Sequence, residues 1–479
     1  MLTLASIKLR PFDSMESHMT DTAPRYAQDL RRSLGIRENI LITISAVTPA
    51  SSVFIIVPAL IGALAGGSVL AMLLGALIAL FVGLCYAELA SRYPISGAEY
   101  PWAARLLGKP VGFATFVLAL VMGVLIIAVI ATGVGPYLAT LWPPLDSPWT
   151  AVVVVAISTT IASLAIKTNA WVTGVCLGLE VLAIVVLVVL GLAHVSRGPQ
   201  VFFVPQALGA GDTLQTLSIG VLFSLLPVAL FAYNGYGAAV FYSEETKNAS
   251  KLIGKAIMFS LLVTVVLEVV PLMAVVIGAS SLEALAGSPT PINYFLLDRG
   301  GDVVNVLVSV GIAVAIFNAV IAIQIQIGRL IFASARDRSW PAAVDRVLGT
   351  VSPRTHTPVV ATIIVGVLVV IAAVVIPVPT LILATGSAVV VLYTIVALCA
   401  LRVRRVTGGH QGGYRMWLWP VPPVIVLLFM AYVVFQTVVA DATPLLIALG
   451  TVVLGLIWYA VFIRGRADRW TLPEPQLED

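Results

Sequence analysis

Charge is scarce in this chain. Only 10% of its 479 residues are Asp, Glu, Lys or Arg, 60% are hydrophobic, and mean hydropathy is +1.05. A soluble domain carries about 25% charged residues and must present its exterior to water. A deficit this deep excludes a water-facing surface and leaves lipid as the solvent. Cysteine is also rare: Cys85, Cys176 and Cys399 lie in apolar stretches without ligand spacing. That excludes a disulfide framework and a metal site and leaves three small buried hydrophobes. Four histidines, His18, His194, His356 and His410, are scattered with none mid-span. The His/Asp/Glu cluster of a membrane-embedded enzyme is missing, so no catalytic residue and no cofactor are assigned. No G-x-x-x-x-G-K run is present, which disfavours an ATP-driven pump. No span has the continuous polar lining of a channel. The net charge of +4 gathers in no patch, so no nucleic-acid partner is expected. The first 37 residues lack an apolar h-region, and the first span is expected to act as its own uncleaved targeting signal.

What the sequence does have is long apolar runs. Spanning structures are helices or closed barrels, and barrel strands alternate polar and apolar residues; unbroken runs point to helices. A hydrocarbon core of ~30 Å needs roughly 20 residues per helix. Twelve candidates follow: 39–64, 69–91, 110–141, 150–167, 171–195, 213–242, 252–278, 302–333, 358–376, 379–401, 422–440 and 444–463. The third and eighth exceed an upright span and are expected to tilt or extend beyond the bilayer. With the N-terminus inside, all of the 27 basic residues except Arg197 and Arg299 fall on the inner side, the bias that sets orientation. The expected protein is an all-α, multi-pass protein of the cell membrane with both termini cytoplasmic and the lipid bilayer as its partner.

Span lengths repeat. Spans 1–5 and spans 6–10 follow the same order, with the very long members at 110–141 and 302–333. Five is odd, so the second set enters the membrane from the opposite side, the inverted repeat of many secondary transporters. The expected organisation is a cytoplasmic segment 1–38, a first repeat 39–195, a second repeat 213–401, two added spans within 422–463, and a cytoplasmic tail 464–479. In such folds the first helix of each repeat is broken near the midplane. Thr48-Pro49-Ala50-Ser51-Ser52 in span 1 and Tyr233-Asn234-Gly235-Tyr236-Gly237 in span 6 carry breakers at matching depth. Pro49 lacks an N–H and crowds the preceding turn; Ser51 and Ser52 can satisfy stray backbone groups; Asn234, Gly235 and Gly237 tolerate open conformations. The bland alternative is a pair of packing kinks. A broken helix presents an N-terminus that favours a carboxylate and a C-terminus that favours an ammonium. A pocket with both suits a zwitterion such as an α-amino acid.

At these residues the chain resembles the amino acid–polyamine–organocation (APC) superfamily of permeases over spans 1–10. Ser243-Glu244-Glu245-Thr246-Lys247-Asn248 is similar to the family's E-E-T-K-N-P signature, with Ala249 in place of proline. Tyr93-Pro94-Ile95-Ser96-Gly97-Ala98-Glu99-Tyr100 is similar to its P-x-S-G-G-x-Y loop, with Ala98 in place of the second glycine. Ala335-Arg336-Asp337 resembles its basic A-R-D segment. The resemblance implies a LeuT-like 5+5 inverted repeat plus two C-terminal helices. It also implies a secondary active amino acid transporter using a proton or counter-substrate. Ala50, Ser51 and Ser52 match the carboxylate-binding break, where the family commonly has G-[ST]-G; with Thr48 they form the first half of the expected site. Tyr233, Asn234 and Gly235 match the second break, and Phe231 lies where the family often places an aromatic gate. Neither break carries a charged residue, which favours a neutral amino acid over a cationic amino acid or polyamine exchanger, the alternative.

A charge inside lipid costs at least ~2.5–3.5 kcal/mol and needs a reason. Glu180 lies about 13 Å along span 5 from its inner end at 1.5 Å per residue. It is the candidate proton-coupling acid, or else a neutral pin between helices. Glu268, beside Pro271 in span 7, is expected to bond the carbonyl that the proline frees. Asn318, Gln324 and Gln326 in span 8 are expected to bond between helices or line the pathway.

Overall fold

The chain folds as the sequence pattern demands, into helices; the computed structural model describes residues 35–164, 167–209, 213–355, 357–407, 413–466 and 468–472. His18, His356, His410, nearly all of the segment 1–38 and the end of the tail 464–479 lie outside the described residues. Helix α1 (Ile36–Val47) stops at Thr48, and α2 (Pro49–Ser51) continues through a π-helical turn, Ser52–Ile56, into α3 (Val57–Leu64). Then come α4 (Ser68–Arg92), the short α5 (Glu99–Leu106), α6 (Lys109–Thr132), α7 (Val134–Leu138), α8 (Pro148–Ala162) and α9 (Lys167–Ala193).

The chain next makes a small antiparallel hairpin, β1 (Gln206–Leu208) with β2 (Leu214–Thr216), in the register Gln206↔Thr216. The expected span 213–242 therefore starts late: its first residues pair in β2, and the helical path begins at α10 (Ile219–Ser224), then α11 (Leu226–Ala232) and α12 (Ala238–Phe241). Long α13 (Ala249–Gly278), short α14 (Leu282–Gly287) and α15 (Pro291–Arg336) follow. The remainder is α16 (Ala342–Leu348), α17 (Val359–Val375), α18 (Val378–Thr407), α19 (Val421–Ala440) and α20 (Thr443–Trp458). The very long eighth run, 302–333, is uninterrupted helix within α15. Gly301 takes φ 73° and kinks α15 near its start, a conformation open to glycine.

Eight stretches among the described residues are long and apolar enough to cross a membrane, one of them the interrupted 57-residue path Ile36–Arg92. Pro148–Ala162, Ile219–Ala232 and Val359–Val375 are shorter apolar helices. Large apolar side chains such as Leu428, Leu446 and Val461 stand fully outward, as they do on a surface solvated by lipid.

Where lipid is as apolar as the side chains, helices associate through small residues that let backbones approach. Gly191 of α9 lies against Gly278 and Ala274 of α13, so close that a Cβ would meet the Ala274 carbonyl oxygen at 2.2 Å. Gly75 and Gly83 of α4 admit Ala229 and Leu261 in the same way. α13 packs against α4 and α9, and both α9 and α13 reach the short α2. The break in the first helix is thereby enclosed on two sides.

Candidate functional site

The first break sits where the sequence pattern places it. Thr48 adopts a left-handed conformation (φ 51°, ψ 65°) and Pro49 opens the next helical piece. Pro49 has no N–H, so only the amides of the following residues lack intrahelical acceptors at the new N-terminus. The second break follows Ala232. Tyr233 to Gly237 form turns, Gly235 at φ 127°, and the helix resumes at Ala238.

The two breaks touch. Ser52 Oγ donates to the Ala232 carbonyl at 2.8 Å, occupying an acceptor that the end of α11 would leave unsatisfied. A Cβ on Gly235 would come within 2.9 Å of Val47 Cα, so this close approach requires glycine.

Between the breaks lies a cavity of about 100 Å³. Thr48, Ser51, Ser52, Phe231, Asn234 and Gly235 line it. Ser51 is buried and its hydroxyl has no protein partner. Asn234 Nδ2 donates to Tyr393 Oη at 3.3 Å. Two expected residues face elsewhere. Ala50 is buried off the cavity lining. Tyr233 turns away because its hydroxyl donates to the Met72 carbonyl of α4 at 3.0 Å; it anchors the break and lies off this cavity's lining.

The remaining wall comes from elements distant in sequence: Met122 and Ile126 of α6, Gln326 and Ile327 of α15, Tyr393 of α18. Gln326 thus lines the cavity, whereas Gln324 bonds between helices, donating to Thr159 Oγ1. One end is closed by an aromatic group that the motif reading missed. The Tyr86 ring meets Tyr236, Trp102 and Tyr393 edge-on at 5.4, 5.5 and 6.3 Å between centroids.

Tyr86 Oη donates to Glu99 Oε1 at 2.7 Å, and Glu99 is the single acid among the lining residues, which include no base. Burial pushes the Glu99 carboxyl up from its usual range, against the downward pull of the Tyr86 hydrogen bond. The signal was in the loop Tyr93–Tyr100, where an acid stands alone between Ala98 and Trp102. Ser96 Oγ donates to the Phe241 carbonyl at 3.0 Å and ties that loop to α12.

Other acids divide sharply. Glu88 is fully buried yet paired. Arg404 meets both of its carboxylate oxygens at 2.7 and 2.9 Å, Arg92 adds 2.8 Å, and the Met416 amide donates at 3.3 Å. Glu180 is buried on α9, away from the cavity lining, with Oε2 unpartnered. Glu268 is fully buried with neither carboxylate oxygen hydrogen-bonded. The expected bond to the carbonyl freed by Pro271 is therefore not made; the side chain points instead towards Ser52.

The family profile described as "Amino acid permease" matches residues 34–458. The branched-chain amino acid permease BcaP of Bacillus subtilis is 23% identical over 91% of this chain and 94% of its own length. An uncharacterized transporter of Mycobacterium tuberculosis is 30% identical over 71% of this chain and 72% of its own. The methylthioribose transporter of B. subtilis is 24% identical over 85% and 88%. With apolar helical spans, two interrupted helices around one cavity and a profile match across nearly the whole described chain, this multi-pass membrane protein belongs to the amino acid permease family of the APC superfamily.

Proposed function

We propose that the chain is a secondary active amino acid transporter of the cell membrane, working by alternating access on a neutral amino acid with a proton or a counter-substrate. The observation that carries this reading is the meeting of two broken helices, bonded through Ser52 and Ala232, around one cavity with a single acid and no base in its wall. Counting Ile36–Arg92 as two spans and adding the three shorter apolar helices makes twelve. An even count puts both termini on one side, and the lysine and arginine bias puts that side in the cytoplasm. The first repeat is 39–195 and the second runs to 401, its helical part starting at Ile219; 422–463 holds the two added spans, and 1–38 and 464–479 are the cytoplasmic ends.

In this reading the amides after Pro49 and the hydroxyl of Ser51 receive the substrate carboxylate, with Thr48 at the turn and Ser52, its proton held by the Ala232 carbonyl, fixing the wall beside them. The ammonium sits against the carbonyls that end α1 and α11, beside Asn234 and Gly235. Phe231 covers the side chain. Ala50 contributes its amide, and Tyr233 holds the break in place. Glu180 carries the coupling proton. The Bacillus subtilis and Lactococcus lactis relatives, both described as branched-chain amino acid permeases, support a neutral substrate.

The test is uptake into proteoliposomes of a labelled panel of leucine, isoleucine, valine, alanine, lysine, arginine and methylthioribose, with and without an imposed pH gradient. Uptake of a neutral amino acid that rises with external acid, and loses that rise in Glu180→Gln, is expected. No uptake of any amino acid in the panel would sink the reading. Glu99 favours a second reading, a cationic substrate whose extra charge it meets across the cavity. Preference for lysine or arginine, lost in Glu99→Gln, would select it.

A further inference from the structure

Glu268 is the buried acid for which the reading above has no use. It lies on α13, fully buried, one turn before Pro271, and neither of its oxygens is hydrogen-bonded. An isolated charge in such a site is costly. Among the described residues no lysine, arginine or histidine forms an ion pair with it. The titratable groups its charge would reach are the hydroxyls of Tyr233, at the second break, and Tyr393 of α18. The other buried acids on elements packed against α13 are Glu88 of α4, held by arginines, and Glu180 of α9. The polar group next to it is the Ser52 hydroxyl, the same hydroxyl whose proton goes to the Ala232 carbonyl.

That geometry sets a competition. A serine hydroxyl has one proton to donate, and two acceptors here stand ready for it: the Ala232 carbonyl, across the junction of the breaks, and the Glu268 carboxyl, behind it. When Glu268 is protonated it donates to Ser52 Oγ, and Ser52 keeps its own proton on Ala232. The chain Glu268–Ser52–Ala232 then ties α13, the first break and the second break together. When Glu268 is ionised it becomes the stronger, charge-assisted acceptor. Ser52 turns its proton to the carboxylate and the Ala232 carbonyl is released.

We propose that Glu268 with Ser52 is a proton-binding site, distinct from Glu180, whose occupancy decides whether the two helix breaks are bonded to each other. No atom is transferred beyond one proton, taken up from solvent when the junction closes and returned to it when the junction opens. Its use in coupling rests on the transporter reading; the bond exchange itself does not.

The test therefore needs no substrate. Hydrogen–deuterium exchange is followed on the full chain in lipid nanodiscs between pH 5.5 and 8.5, with exposure times scaled for the intrinsic pH dependence of exchange. In the wild type, protection of the segments spanning residues 48–56 and 231–237 is expected to fall about tenfold as pH rises, the effect of losing one hydrogen bond across the junction. Glu268→Gln, neutral at every pH, is expected to stay protected throughout. Ser52→Ala is expected to stay unprotected throughout, and Glu180→Gln to keep the wild-type profile.

A wild-type profile flat with pH overturns the proposal. So does a pH dependence that survives in Glu268→Gln, or one abolished by Glu180→Gln. If Glu268→Gln fails to fold, Ser52→Ala decides: retention of the wild-type pH dependence there is equally fatal. Proteoliposomes that take up no amino acid while the exchange profile behaves as described would remove the transporter reading and leave this site standing.

Discussion

Two regions of this bundle, built from the same kinds of residue, handle buried polarity in opposite ways. At the arginine-rich end, Glu88 is clamped by Arg404 and Arg92, capped by the Met416 amide, and Arg404 lies over the Trp419 ring at 5.0 Å. At the junction of the breaks, Glu268 is as deeply buried but forms no ion pair among the described residues, and the breaks themselves meet through the Ser52 hydroxyl and the absence of a Cβ at Gly235. A fully paired charge has one low-energy arrangement and is rigid. An unpaired acid beside a single neutral hydrogen bond offers that bond a second acceptor once the acid ionises. The difference separates a part built to hold from a part able to change.

The largest effect should come from the clamp. Glu88→Ala removes the buried carboxylate that Arg404 and Arg92 share, and breaking a buried pair from one side costs about 3–5 kcal/mol. Thermal unfolding in detergent, followed by tryptophan fluorescence, should show a severe loss of stability or no folded protein. A variant as stable as the wild type would erase the contrast between the regions.

At the junction the same change in size should act on function with less effect on stability. Gly235→Ala puts a Cβ 2.9 Å from Val47 Cα at φ 127°, so the breaks must separate. Uptake is expected to fall at least about tenfold, since misplacing a positioning element by ~1 Å has large effects on activity, while the protein still elutes as a single species. Unchanged uptake would mean that the close approach of the breaks is unimportant.

Asp337 tests the contrast from within the rigid end, because there the pairing is incomplete. It follows α15 and is buried, with Arg336 Nε 3.7 Å from Oδ1. Burial pushes its carboxyl up to about 7, with Arg336 opposing the rise. A carboxyl raised in the folded state binds its proton more tightly there than in the unfolded chain. Its contribution to stability is thus present below about pH 4 and lost as pH rises through about 7. Asp337→Asn escapes that loss. Its stability relative to the wild type should grow between pH 5 and 8 by on the order of 2 kcal/mol and level off above. A constant difference in melting temperature across that range would contradict the sign.

The smallest expected effect is at Ala98, which holds a left-handed φ of 46° in the loop beside Glu99. An alanine there is strained, and the resembling family motif has glycine. Ala98→Gly should stabilise by about 1 kcal/mol, read as a small upward shift in melting temperature. A shift downward would mean that the side-chain packing of Ala98 outweighs its backbone strain.

The spans and the breaks were legible because their causes are local. Hydropathy marks a segment that needs lipid or protein around it, and Pro49 and Gly235 act on their own backbone. The hairpin at Gln206–Thr216 escaped because its pairing needs two short segments to meet, and its second strand sits against the apolar run of the next helix. Glu99 and Tyr86 escaped as cavity residues because nothing in the loop Tyr93–Tyr100 indicates which way it folds back. Tyr233 was misdirected for the complementary reason: its break is local, but its orientation is set by the Met72 carbonyl 161 residues away.

By itself, then, the sequence determined that this protein lives in lipid, that it spans as helices, and where two of those helices come apart. Each follows from the chemistry of a residue and its near neighbours. Tertiary structure alone decided which acids are paired, which tyrosines close the cavity, and that the hydroxyl of Ser52 stands between Ala232 and Glu268. The Ser52–Ala232 and Arg404–Glu88 bonds join residues 180 and 316 apart, and no local preference specifies a partner at that distance.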